Sequence, residues 1–334
     1  MSKVSVIGAG AWGTALAAHA ARFGHQTTLW AREDDVVRDI ESHHRNEQFL
    51  AGIELPIALR VTVDLAHAVK DVDVVFLVPP SQHLRQVART LAPLLNSSVS
   101  VVVASKGIEV ASGKLMSEVM AEELPGAAIA YLSGPSFAKE VGAGLPTDVV
   151  VASHRADVAA HVQATMHAPH FRVYTSDDPT GVEVAGAMKN VIAVAAGACD
   201  GLGLGMNARA ALITRGLAEM TRLGVALGAS PLTFLGMAGV GDLFLTCTGP
   251  LSRNRTLGLK VAEGLEPRDY VASQVTVAEG FTTCKAARIL GASKSVDLPI
   301  TEQVYQVLHE GRPLLDALRE LVSRGGKREL EGIS

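Results

Sequence analysis

The sequence predicts an α/β fold for its first part, a doubly wound and mostly parallel sheet covered by helices, followed by an all-α C-terminal domain. Three observations carry that reading. Short β-branched runs alternate with longer amphipathic runs through the first half of the chain. Those short runs are apolar on both faces, as strands covered from both sides are. After about Asp178 strand signals become few and helical spacing takes over. Residues 1–180 are therefore expected to form one domain and residues 181–334 a second, helical one.

Taken in order, strands are expected at 4–7, 27–30, 74–78, 99–104, 129–132, 149–152 and 172–174. Helical patterns lie between several of them, at 11–23, 33–45, 81–95, 113–124 and 155–167. In the second half the run 181–197 is apolar nearly all round and rich in alanine. Helical patterns follow at 207–227, 253–263, 278–290, 299–310 and 313–324. Ser230-Pro231, Leu298-Pro299 and Arg312-Pro313 place proline near a first turn, where its fixed φ and missing N–H cost nothing. The stretch 324–328 reads as a solvated end.

Composition narrows the class. The 334 residues are 48% hydrophobic but only 4% aromatic, so the core is aliphatic, and disorder, collagen and disulfide scaffolds are excluded. A formal charge of −4 lacks the basic excess of an electrostatic nucleic-acid binder. Cys199, Cys247 and Cys284 are odd in number and widely spaced, which suits reduced thiols better than a metal site. Val4-Ser5-Val6-Ile7 reads as a strand rather than a signal peptide, and no apolar run is expected to reach the roughly 18 residues of a membrane helix. The expectation is a cytoplasmic protein without membrane insertion.

Gly8-Ala-Gly10-Ala-Trp-Gly13 follows the first strand directly and opens the first helix. Gly8 suits the tight turn, Gly10 lets backbone approach a pyrophosphate, and Gly13 permits close helix–strand packing. The phosphates would meet free amides at the helix N-terminus, the arrangement of a Rossmann-like dinucleotide fold. At the end of the second strand, where NAD enzymes place an acid for the ribose diol, stands Arg32, whose guanidinium suits a 2′-phosphate. Glu33 and Asp34 follow and could still reach a ribose. NADP is favoured, with NAD left open.

Lys189 sits inside an apolar helical run with Ala185, Gly186, Ile192, Ala193 and Ala196 on its face. Two readings stay open: a desolvated acid/base, or a lysine snorkelling at the rim of a core helix. Three further clusters have polar residues beside glycine. Ser105-Lys106-Gly107 and Ser133-Gly134-Pro135-Ser136-Phe137-Ala138 each follow a strand, at the end where open α/β sheets bind ligands. Gly241-Asp242-Leu precedes Ser252-Arg253-Asn254-Arg255, a capped helix start whose hydroxyl, amides and guanidinium suit a phosphate or carboxylate. Each cluster also has an ordinary explanation as a turn or cap.

In this order, these blocks with Gly186-Ala-Met-Lys189-Asn190-Val resemble the bacterial NAD(P)-dependent sn-glycerol-3-phosphate dehydrogenases, from the first strand to about Glu279. The resemblance implies reversible hydride transfer between NAD(P)H and dihydroxyacetone phosphate, giving sn-glycerol 3-phosphate for phospholipid synthesis, and a homodimer. It assigns Lys189 as the proton acceptor in the oxidation direction. It puts Lys106, Gly134, Ser136, Lys189, Asp242, Ser252, Arg253 and Asn254 at substrate positions. At cofactor positions, beside the three fingerprint glycines, it puts Ala11, Trp12, Arg32, Phe49, Lys106, Ala138, Arg253, Val277 and Glu279. Ala11 departs from the serine often found there, and the segment around Phe49 matches loosely. On this reading Lys189 and Lys106 stabilise a developing alkoxide and Asp242 holds Lys189. A β-hydroxyacid or 6-phosphogluconate type dehydrogenase, and a non-catalytic NAD(P)-sensing module, are the competing readings.

Overall fold

A computed structural model of the chain describes residues 1–326, 328, 329 and 332. Of the stretch expected to be a solvated end, Lys327 lies outside the described residues. The chain divides into two compact units, the first made of Met1–Ser105 and Met116–Pro179, the second of Lys106–Leu115 and Thr180–Ser334.

The first unit is built on one sheet. Its strands are β1 Lys3–Ile7, β2 Gln26–Trp30, β3 Arg60–Thr62, β4 Val74–Leu77, β5 Ser100–Val103, β6 Ala128–Ser133, β7 Thr147–Ala152 and β8 Phe171–Ser176. Their order is β3-β2-β1-β4-β5-β6-β7-β8. Every pairing is parallel except β6 with β7, where Tyr131 faces Ala152 and Ser133 faces Val150. All strands expected from the sequence are present. The unexpected one is β3, a three-residue edge strand whose Arg60 pairs with Thr28, too short and polar to leave an apolar signal. The helices are α1 Ala11–Arg22, α2 Asp34–His43, α3 Glu47–Leu50, α4 Leu65–Ala68, α5 Leu84–Leu91, α6 Met116–Glu123, α7 Ala138–Gly142 and α8 Ala156–Met166. The expected helix at 81–95 is shorter, with single 3₁₀ turns at Ser81–His83 and Ala92–Leu94 on either side of α5. The core joins strand residues Val6, Leu29, Phe76 and Val102 to helix residues Leu16, Ala17 and Val162, all fully buried. Small residues on α1 let that helix lie close on the sheet.

Among the described residues of the second unit the regular structure is helical: α9 Pro179–Gly201, α10 Gly205–Ala226, α11 Asp242–Thr248, α12 Arg253–Ala262, α13 Pro267–Ala272, α14 Gly280–Ser293, α15 Pro299–His309 and α16 Leu314–Ser323. One expectation is corrected by α9. Over 18 residues its mean hydropathy is 1.4, enough by length and composition to cross a membrane. Glu183 and Lys189 interrupt the run and hide this in the sequence. That window is 94% buried in the protein, as befits a core helix. Cys199, Cys247 and Cys284 are free and buried, and burial pushes the thiols of Cys247 and Cys284 up to about 12.

Candidate functional site

In the first unit the turn between β1 and α1 forms a cradle. Gly8 has φ +116°, a conformation that favours glycine, and its amide donates to the Trp30 carbonyl at 3.1 Å. A Cβ on Gly13 would lie 1.9 Å from the Gly8 carbonyl oxygen, so helix and turn can close only over glycine. A Cβ on Gly10 would meet nothing within 4 Å, which leaves its outer side open to a ligand. The turn is fixed from behind: Asn46 donates to the Ala9 carbonyl (2.9 Å) and to Thr14 Oγ1 (2.8 Å). Gly10, at the N-cap of α1, offers no side-chain acceptor, so the first amides of the helix are left for an anion. The indole N–H of Trp12 is buried without a hydrogen-bond partner. An open glycine, uncapped amides and an orphaned donor together fit a dinucleotide pyrophosphate.

Other residues expected at cofactor and substrate positions also belong to this unit. Arg32, just past β2, is exposed, and its Nε and Nη2 donate to Glu33 Oε1 at 3.0 and 2.8 Å. Phe49, Ala11 and Ala138 are half-buried against the core, and the Phe49 amide donates to Asn46 Oδ1. After β6, the Ser136 hydroxyl donates to the Gly134 carbonyl at 2.8 Å.

The second unit gathers Lys106, Lys189 and Asp242. Lys189 projects from the middle of α9, Asp242 occupies the first turn of α11, and Lys106 begins the excursion Lys106–Leu115. Asp242 accepts Lys189 Nζ on Oδ1 at 2.5 Å and Lys106 Nζ on Oδ2 at 2.8 Å. Lysine snorkelling is ruled out by exposure: the Lys189 side chain is 8% accessible, against 17% for Lys106 and 2% for Asp242. Burial lowers the Lys189 pKa to about 7; the Asp242 carboxylate opposes that shift and the Lys106 ammonium adds to it. For Asp242, burial works against ionisation, but the charges of Lys106 and Lys189 outweigh it and hold the carboxyl below its ordinary range. The arrangement keeps one lysine poised for proton transfer beside a second fixed positive charge.

One residue of this cluster, Thr246, was not singled out from the sequence, and Asn190 figured there only as part of the block around Lys189. Thr246 Oγ1 accepts Lys189 Nζ at 3.1 Å and donates to the Asp242 carbonyl at 2.6 Å. Its spacing of four from Asp242 would have pointed to it had α11 been expected. Asn190 Oδ1 accepts Asn254 Nδ2 at 2.8 Å, and Asn254 Oδ1 accepts the Gly280 amide at 2.9 Å. This relay runs from the residue after Lys189 to the start of α12 and then to α14. Ser252 caps α12 by accepting the Arg255 amide at 3.2 Å. The Arg253 side chain is open to solvent yet crowded by protein; that crowding lowers its pKa and the Glu279 carboxylate opposes the shift. Glu279 sits at the N-cap of α14, and Val277 is exposed just before it.

Comparison with known proteins agrees with the resemblance. Residues 3–159 match the model of the NAD-dependent glycerol-3-phosphate dehydrogenase N-terminus, and residues 178–319 that of the C-terminus. A glycerol-3-phosphate dehydrogenase [NAD(P)+] of Geobacter sulfurreducens is 52% identical over 330 residues, covering 98% of each chain. One from Stenotrophomonas maltophilia is 47% identical over 331 residues, covering 98% of this chain and 96% of its own. The crystal structure of glycerol-3-phosphate dehydrogenase from Coxiella burnetii superposes with a TM-score of 0.93 at 38% identity, covering 97% of this chain and 99% of that one.

Proposed function

The chain belongs to the NAD-dependent glycerol-3-phosphate dehydrogenase family, and from that premise we propose that it interconverts dihydroxyacetone phosphate and sn-glycerol 3-phosphate with NAD(P)H or NAD(P)+. The single observation that carries the reading is the Lys106–Asp242–Lys189 chain, a buried proton donor and a fixed cation sharing one carboxylate. When bound, the nicotinamide supplies the hydride in reduction and takes it up in oxidation. In the reducing direction the Lys189 ammonium donates a proton to the oxygen of the ketone carbon. Lys106 stabilises the negative charge growing on that oxygen. In the oxidising direction neutral Lys189 accepts the hydroxyl proton. A pKa of about 7 leaves either form accessible near neutrality. Asp242 and Thr246 aim the amine.

The substrate phosphate is assigned to Arg253, Asn254 and Ser252 at the capped start of α12, where amides and a guanidinium suit a dianion. Lys106, Gly134 and Ser136 complete the substrate positions. Gly8, Gly10, Ala11, Trp12, Gly13, Arg32, Phe49, Lys106, Ala138, Arg253, Val277 and Glu279 are the cofactor positions. The expected division into a dinucleotide-binding domain, 1–180, and a substrate and catalytic domain, 181–334, is kept except that Lys106–Leu115 goes with the second unit. NADP is the preferred cofactor on the strength of Arg32. The product feeds glycerophospholipid synthesis, in a cytoplasmic homodimer; three unpaired buried thiols suit that reducing compartment. The test is a spectrophotometric assay with dihydroxyacetone phosphate, run with NADH and with NADPH. Oxidation of either cofactor supports the reading. Turnover of a 2-keto acid but not of dihydroxyacetone phosphate overturns it.

A further inference from the structure

Arg255 stands in the same block as Arg253 and Asn254, yet its guanidinium is committed elsewhere. Its Nε and Nη2 both reach Asp200 Oδ2, at 2.9 and 2.7 Å. Asp200 lies near the C-terminal end of α9, eleven residues beyond Lys189 on the same helix. From the other side Arg209 Nη1 reaches both Asp200 oxygens at 3.2 Å, so the carboxylate is gripped by two cations. All three side chains are at most 19% exposed, which removes most of the screening that weakens a surface pair. The helices also meet backbone to backbone at this point. A Cβ on Gly197 would lie 1.9 Å from the Arg255 carbonyl oxygen. About two turns earlier on α9, Asn190 holds Asn254 at 2.8 Å.

We infer that Asp200 is a positioning residue for phosphate recognition: through Arg255 it fixes the first turn of α12 against α9, and so fixes where Arg253 and Asn254 present themselves relative to Lys189. The inference rests on the proposed dehydrogenase reading. The physical reason is geometric. Arg253 and the α12 amides act on a phosphate only if they stand at one distance from the carbonyl carbon that Lys189 serves. A displacement of an ångström in a positioning group costs far more than the contact it breaks. The fork to Asp200 and the glycine contact remove the two freedoms, slide and rotation, that α12 would otherwise have on α9. Arg255 contributes its position rather than a hydrogen bond to the phosphate, because its Nε and Nη2 are both held on Asp200.

The experiment compares wild type with Asp200→Asn, Asp200→Glu and Arg255→Lys. It measures kcat and KM for dihydroxyacetone phosphate, and kcat/KM for unphosphorylated dihydroxyacetone at high concentration. Asp200→Asn and Arg255→Lys should raise KM for the phosphorylated substrate about tenfold and leave kcat within about twofold. kcat/KM for dihydroxyacetone should stay at the wild-type value, and Asp200→Glu should recover most of the loss. Should Asp200→Asn not fold, Arg255→Lys, which keeps the cation and loses the fork, carries the test alone. Equal losses on both substrates would mark an ordinary structural role and overturn the inference. An unchanged or lower KM would show that Arg255, once released, serves the phosphate itself, and would overturn it too. A wild type inactive on dihydroxyacetone phosphate overturns the parent reading and this one with it.

Discussion

Lys189 Nζ lies 2.5 Å from Asp242 Oδ1, and the carboxylate oxygen left over takes Lys106 Nζ at 2.8 Å. One buried anion thus serves two cations, and the balance among burial, attraction and repulsion sets the proton affinity of Lys189 at about 7.

The pH dependence of turnover follows from that balance with a definite sign. With Lys189 as the proposed base, oxidation of glycerol 3-phosphate uses its neutral form, so kcat/KM should rise as pH passes through about 7. Asp242 raises the lysine pKa and Lys106 lowers it. Asp242→Asn should therefore move the inflection to lower pH and Lys106→Met to higher pH. Ionisation of the substrate phosphate would be the same in all three proteins and could not produce opposite shifts. Lys189→Ala should lower kcat by on the order of 10²–10³. Its affinity for the oxidised cofactor, read by titration calorimetry, should stay near the wild-type value.

Much of this site was legible because its chemistry conflicts with its surroundings. A lysine inside an apolar, alanine-rich helix is conspicuous, and a glycine fingerprint between a strand and a helix has few other uses. What stayed hidden depends on pairings distant in sequence. Lys106 belongs with the helical unit although it follows a strand of the sheet, which no local pattern announces. Thr246 was missed because α11 is only seven residues long and follows an irregular glycine-rich turn. Strand β3 exists only because β2 offers it an edge. Arg255 stands in the same block as Arg253, and only its distance to Asp200 shows that it is engaged elsewhere.

Acid sensitivity should arise at His19. Its Nε2 lies 2.8 Å from the Met166 carbonyl, and its ring packs on Phe171 at 4.3 Å between centroids. Burial lowers its pKa from 6.5 to about 4. Between those values the unfolded chain binds more protons than the folded one, so stability is complete above pH 6.5 and falls as pH drops toward 4. At 1.36 kcal/mol per pKa unit the loss is about 3 kcal/mol. His19→Gln keeps a donor for Met166 without titrating. The difference between wild-type and variant unfolding free energies, measured in urea from pH 7 to 4, should shift by that amount in favour of the variant as pH falls.

Glu219 caps a helix that cannot cap itself. The N-cap of α15, Leu298, has no side-chain acceptor. Glu219, reaching across from α10, takes the Ile300 amide at 2.8 Å, the Thr301 amide at 2.9 Å and the Thr301 hydroxyl at 2.6 Å. The carboxyl group is fully buried; burial raises its pKa above the ordinary range, and the three donors, with the Arg222 charge, oppose that shift only in part. Glu219→Ala leaves all three unsatisfied and should destabilise the protein by about 3 kcal/mol or more. Glu219→Gln keeps one acceptor oxygen and should cost less. Denaturant midpoints would order the variants; equal stability of Glu219→Ala and wild type would contradict the capping role.

Cofactor choice should respond oppositely to two adjacent residues. Arg32 and Glu33 stand where β2 ends and are paired at 2.8 Å, with side chains 78% and 33% exposed, so the pair itself is weak and separable. A 2′-phosphate must take Arg32 away from Glu33 and then sit beside a carboxylate. A ribose 2′-hydroxyl can instead donate to that carboxylate and needs nothing from the arginine. Arg32→Ala should therefore weaken NADP+ binding about tenfold or more while changing NAD+ little. Glu33→Gln should strengthen NADP+ several-fold and weaken NAD+ modestly, because it removes the repulsion and leaves a neutral amide oxygen, a weaker acceptor than the carboxylate. Dissociation constants from calorimetry at two salt concentrations would check both, with the NADP+ effects shrinking at the higher salt. Parallel changes in the two cofactors would mean that neither residue reads the 2′ position.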